Sequence, residues 1–206
     1  MKKLLTYLFI LIQYSAFTQT KKNSFDFKKV YDIEMDKEQL KENTNAWMVK
    51  TFTNTNSGIK LTSTDNLIAR GTFDGVFTDG LGRKNLCFFE YIIEISFKED
   101  RYRLTLGDYT IKPTDKDLLN VAEWGMIQPV DSINEFIRVH SIFFKKYGSL
   151  GEYYIKKRLN NPKKVGKQMK KQRKHFDFIQ PQILAHQKSI SKSLFNYLEK
   201  RKESDW

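Results

Sequence analysis

Residues 84–112 carry the clearest alternation of apolar and polar side chains in the sequence. In 89–97 the odd-numbered positions are large and apolar, and most even-numbered positions are polar. This period of two predicts a half-buried β-strand. A second alternating run follows at 101–106, and the polar residues 98–101 separate the two runs. The pattern therefore predicts a β-hairpin with one apolar face.

A single register places the large apolar groups of this hairpin on the same face. It pairs Phe97 with Tyr102, Ile95 with Leu104, and Ile93 with Leu106. The apolar phase changes parity after Gly107, so we expect a β-bulge at that glycine.

The opposite face of the hairpin is predicted to hold two carboxylates and two guanidinium groups. They belong to Glu90, Glu94, Arg101 and Arg103. Carboxylates beside arginines can form an acid–base or anion-binding site. The simpler interpretation is a solvated sheet face with weak ion pairs, each contributing roughly 0–1 kcal/mol.

The elements before the hairpin complete an α+β pattern. Asp36 and Gln39 form a capping-box signal for a helix that runs to about Thr53. Strands are predicted within 25–33, 59–63 and 67–77. The order is strand, helix and four strands, which favours an antiparallel sheet with one helix on one face. We therefore expect a sheet domain at residues 25–113.

A mainly helical, basic extension is predicted after this domain. Residues 114–130 form a connector with a short helix, and residues 131–206 form the extension. Ser132 and Glu135 predict a helix start, Gly148 a helix end, and Pro181 an interruption or restart of the final helix. The pattern leaves open whether this extension packs on the sheet or projects from it.

The first 18 residues have the features of a secretory signal peptide. Lys2 and Lys3 precede a short apolar run at 4–12, and small residues lead to a cleavage region near Thr18. A membrane anchor is the alternative, but the run is shorter than the roughly 20 residues that span a bilayer. We expect an exported protein that is periplasmic or secreted.

The positive charge is concentrated in one segment. The chain has a formal net charge of +12, and residues 145–175 contain twelve Lys or Arg and one acid, Glu152. Such a segment favours phosphate-bearing or other anionic partners, although a charged solvated helix is the plainer interpretation. The candidate binding residues are Lys163, Lys164, Lys167, Lys170, Lys171, Arg173 and Lys174. The final helix could pack on the domain or lie on a membrane surface.

No catalytic or metal-binding motif is evident in the sequence. The three histidines lack metal-ligand spacing, and there is no nucleophile elbow or phosphate-binding loop. Cys87 is the single cysteine, and a small buried apolar residue is favoured over a reactive thiol. His140 is interpreted as an interfacial histidine rather than a ligand. We therefore predict no cofactor and no metal, and the oligomeric state is open.

Several segments resemble a known family. They are the strand VYDIEM, Ala46-Trp47 before Phe52, the segment 68–71, and FKEDRYR at 97–103. Through them, residues 30–113 resemble an uncharacterised family of exported Gram-negative bacterial proteins with a TATA-binding-protein-like (TBP-like) fold. The resemblance implies the fold and assigns no catalytic residues. A fold of this kind does not by itself imply DNA binding.

Three functional hypotheses remain. The first is a non-enzymatic envelope protein, a binding or scaffolding module whose basic tail contacts an anionic envelope component or another envelope protein. The second is a hydrolase-like enzyme with a site between sheet and tail. The third, nucleic-acid binding, conflicts with the predicted export.

Overall fold

The computed structural model describes residues 25–52, 59–62, 65–79, 82–115 and 119–202. The predicted signal peptide lies outside them. The strands are β1 (Phe27–Asp32), β2 (Ile59–Thr62), β3 (Asn66–Thr78), β4 (Lys84–Lys98) and β5 (Arg101–Pro113). The helices are α1 (Lys37–Phe52), α2 (Leu119–Gly125), α3 (Ile133–Lys145), α4 (Gly148–Tyr154) and α5 (Pro162–Lys202). A π-helical turn at Ile155–Leu159, here called the π-turn, follows α4 directly.

The strands form one antiparallel sheet in the order β1-β5-β4-β3-β2. The predicted hairpin register is confirmed. Phe97 is opposite Tyr102, Ile95 is opposite Leu104, and Ile93 is opposite Leu106. The bulge lies one residue beyond the predicted position. Ile92 pairs with Gly107 but Glu90 pairs with Thr110, and Asp108 has a φ of 51°. Aspartate tolerates this left-handed conformation better than most residues, so the glycine is not required for it.

Two helices cover the inner face of the sheet. Helix α1 and the carboxy-terminal half of α5 share a single apolar core with the inward side chains of β3, β4 and β5. Helix α1 starts as predicted, with the backbone N–H of Gln39 donating to Asp36 Oδ1 over 2.8 Å. The Trp47 indole N–H donates to Ser193 Oγ over 3.1 Å, which joins α1 to α5. The α+β class is confirmed, and the extension contributes a second helix to the face where one was expected.

Helix α5 is continuous from Pro162 to Lys202. The predicted interruption at Pro181 is therefore wrong. Proline removes one backbone hydrogen bond and crowds the preceding turn. Here Pro181 is on the exposed side, while Ile179 and Ile183 beside it are buried in the core. Burial on both sides of the proline holds the helix together across the defect.

The amino-terminal half of α5 packs in a second, smaller apolar cluster. Helices α2 and α3, the π-turn and α5 contribute Trp124, Phe136, Leu159 and Val165 to it. The predicted start of α3 is confirmed, because Ser132 Oγ accepts the backbone N–H of Glu135. Gly148, predicted as a helix end, has a φ of 57° and begins α4 instead. The basic extension is thus folded against the sheet domain.

Helix α5 also protects the outer edge of β3. Strand β2 pairs with β3 only over Leu67–Ala69, and no other described strand pairs with the remainder of that edge. The Gln182 side-chain amide takes the place of a strand partner at Val76. Its Oε1 accepts the backbone N–H of Val76 (2.9 Å), and its Nε2 donates to the Val76 carbonyl (2.8 Å). Two residues on, Thr78 Oγ1 is 2.8 Å from His175 Nδ1. Unpaired strand edges are sites for unwanted strand addition, and covering them prevents it.

Candidate functional site

Four lysines of α5 form a straight exposed line, here called the lysine line. It consists of Lys163, Lys167, Lys170 and Lys174, all of which are exposed. Their spacing of four, three and four residues keeps them within about 60° around the helix axis and spreads them over about 17 Å. Four positive charges therefore face solvent in one direction from a single rigid element.

The opposite side of the same helical segment holds the lysine line outward. Val165, Gln172 and Phe176 are buried there. Gln172 donates to the carbonyl of Ile127, which ties the helix to the segment after α2. Because these contacts fix the rotation of α5, the lysines cannot turn inward.

The other predicted basic residues lie beside the lysine line. Lys171 is exposed, Lys164 is half-buried, and its Nζ donates to the Lys157 carbonyl over 3.4 Å. Arg173 forms an ion pair with Asp131 at 2.6 Å. Within the described part of the chain, Arg173 is the only one of the seven predicted residues with such a carboxylate partner. Most of the positive charge of this surface is therefore not neutralised internally.

The seven candidate residues omit an extension of this basic surface that lies within the predicted basic segment 145–175. The π-turn exposes Lys156, Lys157 and Arg158 in succession, while Leu159 after them is buried. A π-helical turn leaves the regular α-helical periodicity and is frequent at functional sites. The run of three basic residues was a visible signal, but its exposure depends on the π-turn, which no periodicity predicts.

The candidate residues on the hairpin's other face do not form a compact site. Glu90 Oε2 is 3.8 Å from Lys112 Nζ and accepts from Thr110 Oγ1 at 3.4 Å. Arg103 donates to Ser96 Oγ at 3.0 Å, and Arg101 pairs with Asp32 at 3.6 Å.

Glu94 has no ion-pair partner among the residues that the structure describes. The two glutamates and two arginines thus engage separate neighbours.

These four side chains also lie on the wrong side of the sheet for the enzyme hypothesis. The inward positions of β4, including Tyr91 and Ile93, contact the core, and Glu90 and Glu94 alternate with them. The side chain of His186 on α5 stacks against Phe73 on the inner face, with ring centroids 3.9 Å apart. Helix α5 therefore covers the inner face, and the four candidates face away from it.

Cys87 is in an environment that suppresses thiol reactivity. It is 2% exposed, and burial, with a smaller contribution from Asp74, raises the pKa of its thiol to about 12. The thiolate is the nucleophilic form, so this pKa leaves little of it near neutral pH.

The histidines serve packing roles in the structure. His140 stacks on Phe136 and its Nδ1 is 2.8 Å from the Phe136 carbonyl oxygen, as an N–H donor would be. Burial lowers the pKa of His186 to about 4 and also lowers that of His175. The described residues contain no group of three or more His, Cys, Asp or Glu side chains that could hold a metal ion. In the same residues, no helix is both long and apolar enough to cross a bilayer.

Two solved structures are similar to part of the chain. A DUF4468 family protein from Bacteroides ovatus has a solved structure that matches with a TM-score of 0.37 and 19% identity, over 43% of this chain and 56% of that one. A TBP-like protein from Parabacteroides distasonis matches with a TM-score of 0.35 and 17% identity, over 42% and 55%.

The chain thus covers little more than half of each matched structure. No family model and no curated protein matches the sequence. The resemblance noted in the sequence is confirmed as a structural match to proteins of this kind over about two fifths of the chain.

Proposed function

We propose that the protein is an exported, non-enzymatic binding module that docks onto an anionic surface of the cell envelope through its lysine line. The observation that supports this proposal is the rigid outward display of Lys163, Lys167, Lys170 and Lys174. A flexible basic tail would lose conformational entropy on binding, whereas these side chains are already carried by a packed helix. Pre-organisation of this kind increases affinity without adding contacts.

Helix α5 contacts the anionic surface through its charges and does not insert into it. The apolar side of that helix is already buried in the protein core, including Ile183, Leu194 and Leu198. An amphipathic helix that enters a membrane needs its apolar side free. The charged side of α5 is therefore exposed for binding, and its apolar side packs in the protein core.

The expected strength follows from the number of lysines. Each basic residue near an anionic surface contributes roughly 1 kcal/mol. Four together contribute up to about 4 kcal/mol, or roughly a thousandfold in affinity at low salt. Salt screens such charges, so the binding should weaken steeply between low and physiological ionic strength.

The test removes the positive charges of the lysine line while α5 stays folded. Deleting α5 would expose the core, so we would substitute all four lysines of the lysine line by glutamine, which has a similar helix propensity. The matched control carries the same change at four exposed lysines elsewhere, Lys28, Lys84, Lys98 and Lys200. Co-sedimentation with phosphatidylcholine vesicles containing phosphatidylglycerol, and retention on immobilised polyphosphate, measure the binding.

The lysine-line variant should lose at least about a hundredfold in affinity at low salt for whichever probe the parent protein binds. The control variant should retain most of the binding. Equal losses in both variants would indicate a net-charge effect and would reject the lysine line as the docking surface. Absence of binding to both probes by the parent protein would reject the proposed function itself.

A further inference from the structure

Helix α4 exposes two large apolar side chains beside the basic surface. Leu150 is 76% exposed and Tyr153 is 59% exposed. They are three residues apart on one helix, which places them on the same side. We call this pair the apolar tip.

The packing of α4 holds the apolar tip outward. Gly151 lies against the end of α3, where an added Cβ would come within 1.8 Å of the Phe144 carbonyl oxygen. The Tyr154 ring stacks on Phe144 with centroids 4.0 Å apart. The contacts of Gly151 and Tyr154 with α3 fix the rotation of this short helix, so Leu150 and Tyr153 stay exposed.

One cation contacts the apolar tip, and two more are adjacent to it in the chain. Lys157 Nζ lies over the Tyr153 ring, 4.8 Å from its centroid, and also contacts the Tyr153 hydroxyl. Lys156 and Arg158 flank Lys157 and are exposed. Glu152 is the one acid in the segment 148–159. The apolar tip therefore adjoins a positively charged segment.

We propose that the apolar tip inserts into the interface of an anionic lipid bilayer while the π-turn binds the lipid phosphates. The inference rests on the proposed function and names a lipid bilayer as the anionic surface. Leucine gains free energy by leaving water for the acyl region, and tyrosine prefers the head-group level with its hydroxyl hydrated. Lysine and arginine beside them meet the head-group phosphates.

The size of the apolar tip favours lipid over a protein partner. A stable protein interface buries about 800 Å² on each partner, with a hydrophobic centre enclosed by a rim. Two side chains on a seven-residue helix fall well below that area. A bilayer needs no complementary pocket, and a small apolar contact supplemented by charge suffices for reversible binding.

The experiment uses the full chain and serine substitutions. Leu150→Ser with Tyr153→Ser removes the apolar tip without changing charge. The control double variant, Leu86→Ser with Leu184→Ser, changes two other leucines that are 67% and 49% exposed. Sedimentation with phosphatidylcholine–phosphatidylglycerol vesicles measures binding at low and high salt, and circular dichroism checks the fold of each variant.

The variant lacking the apolar tip should bind these vesicles at least about tenfold more weakly, while the control binds like the parent protein. Its retention on polyphosphate, which has no apolar phase, should be unchanged. In a Tyr153→Trp protein, acyl-chain bromination should quench fluorescence more strongly than it does in the parent protein.

Two results would overturn the insertion. One is parental vesicle affinity in the serine variant together with no added quenching in Tyr153→Trp. The other is a parent protein that binds polyphosphate but not vesicles. Either would leave the proposed function standing as long as the lysine-line variant still loses binding. Failure of the parent protein on both probes would remove the two proposals together.

Discussion

Replacing Leu194 by alanine tests whether α5 is part of the fold or an appendage to it. Leu194 is 0% exposed and lies in the core shared with the sheet, whereas Leu184 on the same helix is 49% exposed. The substitution Leu→Ala removes the same atoms and changes helix propensity equally at both positions. Only burial distinguishes the two variants.

The expected losses of unfolding free energy follow from the difference in burial between Leu194 and Leu184. Burying a leucine fully is worth about 1.5–3 kcal/mol, and the cavity left by its truncation raises the cost to about 3–4 kcal/mol. At Leu184 roughly half the transfer term is lost and no cavity forms, so we expect about 1 kcal/mol or less. The difference between the variants is then about 2–3 kcal/mol. With a urea m-value near 2 kcal/mol/M, the midpoints should differ by about 1 M.

Urea unfolding followed by circular dichroism and by tryptophan fluorescence measures this difference. Trp47 reports on the core directly, because it is buried and its indole N–H donates to Ser193 on α5. Both probes should move together in the Leu194→Ala protein. Equal midpoints for the two alanine variants, or a fluorescence transition that Leu194→Ala leaves unmoved, would show that α5 does not stabilise the sheet domain.

Two further predictions concern buried groups. Burial raises the pKa of the Cys87 thiol to about 12 from an ordinary 9.0, so the thiolate fraction at pH 8 falls about a thousandfold. A disulfide reagent should therefore label native Cys87 about a thousandfold more slowly than an ordinary thiol. Unfolding the chain in urea should restore rapid labelling. Burial lowers the His186 pKa to about 4 from 6.5, so below pH 6.5 the unfolded state gains a proton that the native state lacks. The unfolding free energy should therefore fall between pH 6.5 and 4, by about 2 kcal/mol after allowance for partial exposure, and unfolding curves of a His186→Phe protein should lack that decline. Rapid labelling of native Cys87, or an identical pH dependence in the His186 variant, would contradict these assignments.

The hairpin was predictable because its information is local. Alternation fixes which side chains of β4 and β5 share a face, and only one register satisfies both strands at once. The capping residues Asp36 and Ser132 likewise act within one helical turn, and both are confirmed. Such features depend on few residues that are close in sequence.

The position of α5 was not predictable in the same way. Its apolar spacing indicates that one side is buried but not which surface buries it. The continuity through Pro181 depends on tertiary contacts of Ile179 and Ile183, which outweigh the local preference to break. The exposed pair Leu150 and Tyr153 follows from the contact between Gly151 and Phe144, which has no signature in the sequence.

The hydrogen bonds between Gln182 and Val76 have a consequence for which substitutions the fold tolerates. Both bonds go to main-chain atoms of β3, so they need the N–H and the carbonyl at position 76 and do not involve the Val76 side chain. The side-chain requirement of this contact is at position 182. An amide offers a donor and an acceptor together, whereas a glutamate at 182 would accept from the Val76 N–H and leave the carbonyl without its donor. These two bonds therefore restrict the side chain at position 182 more than the side chain at position 76.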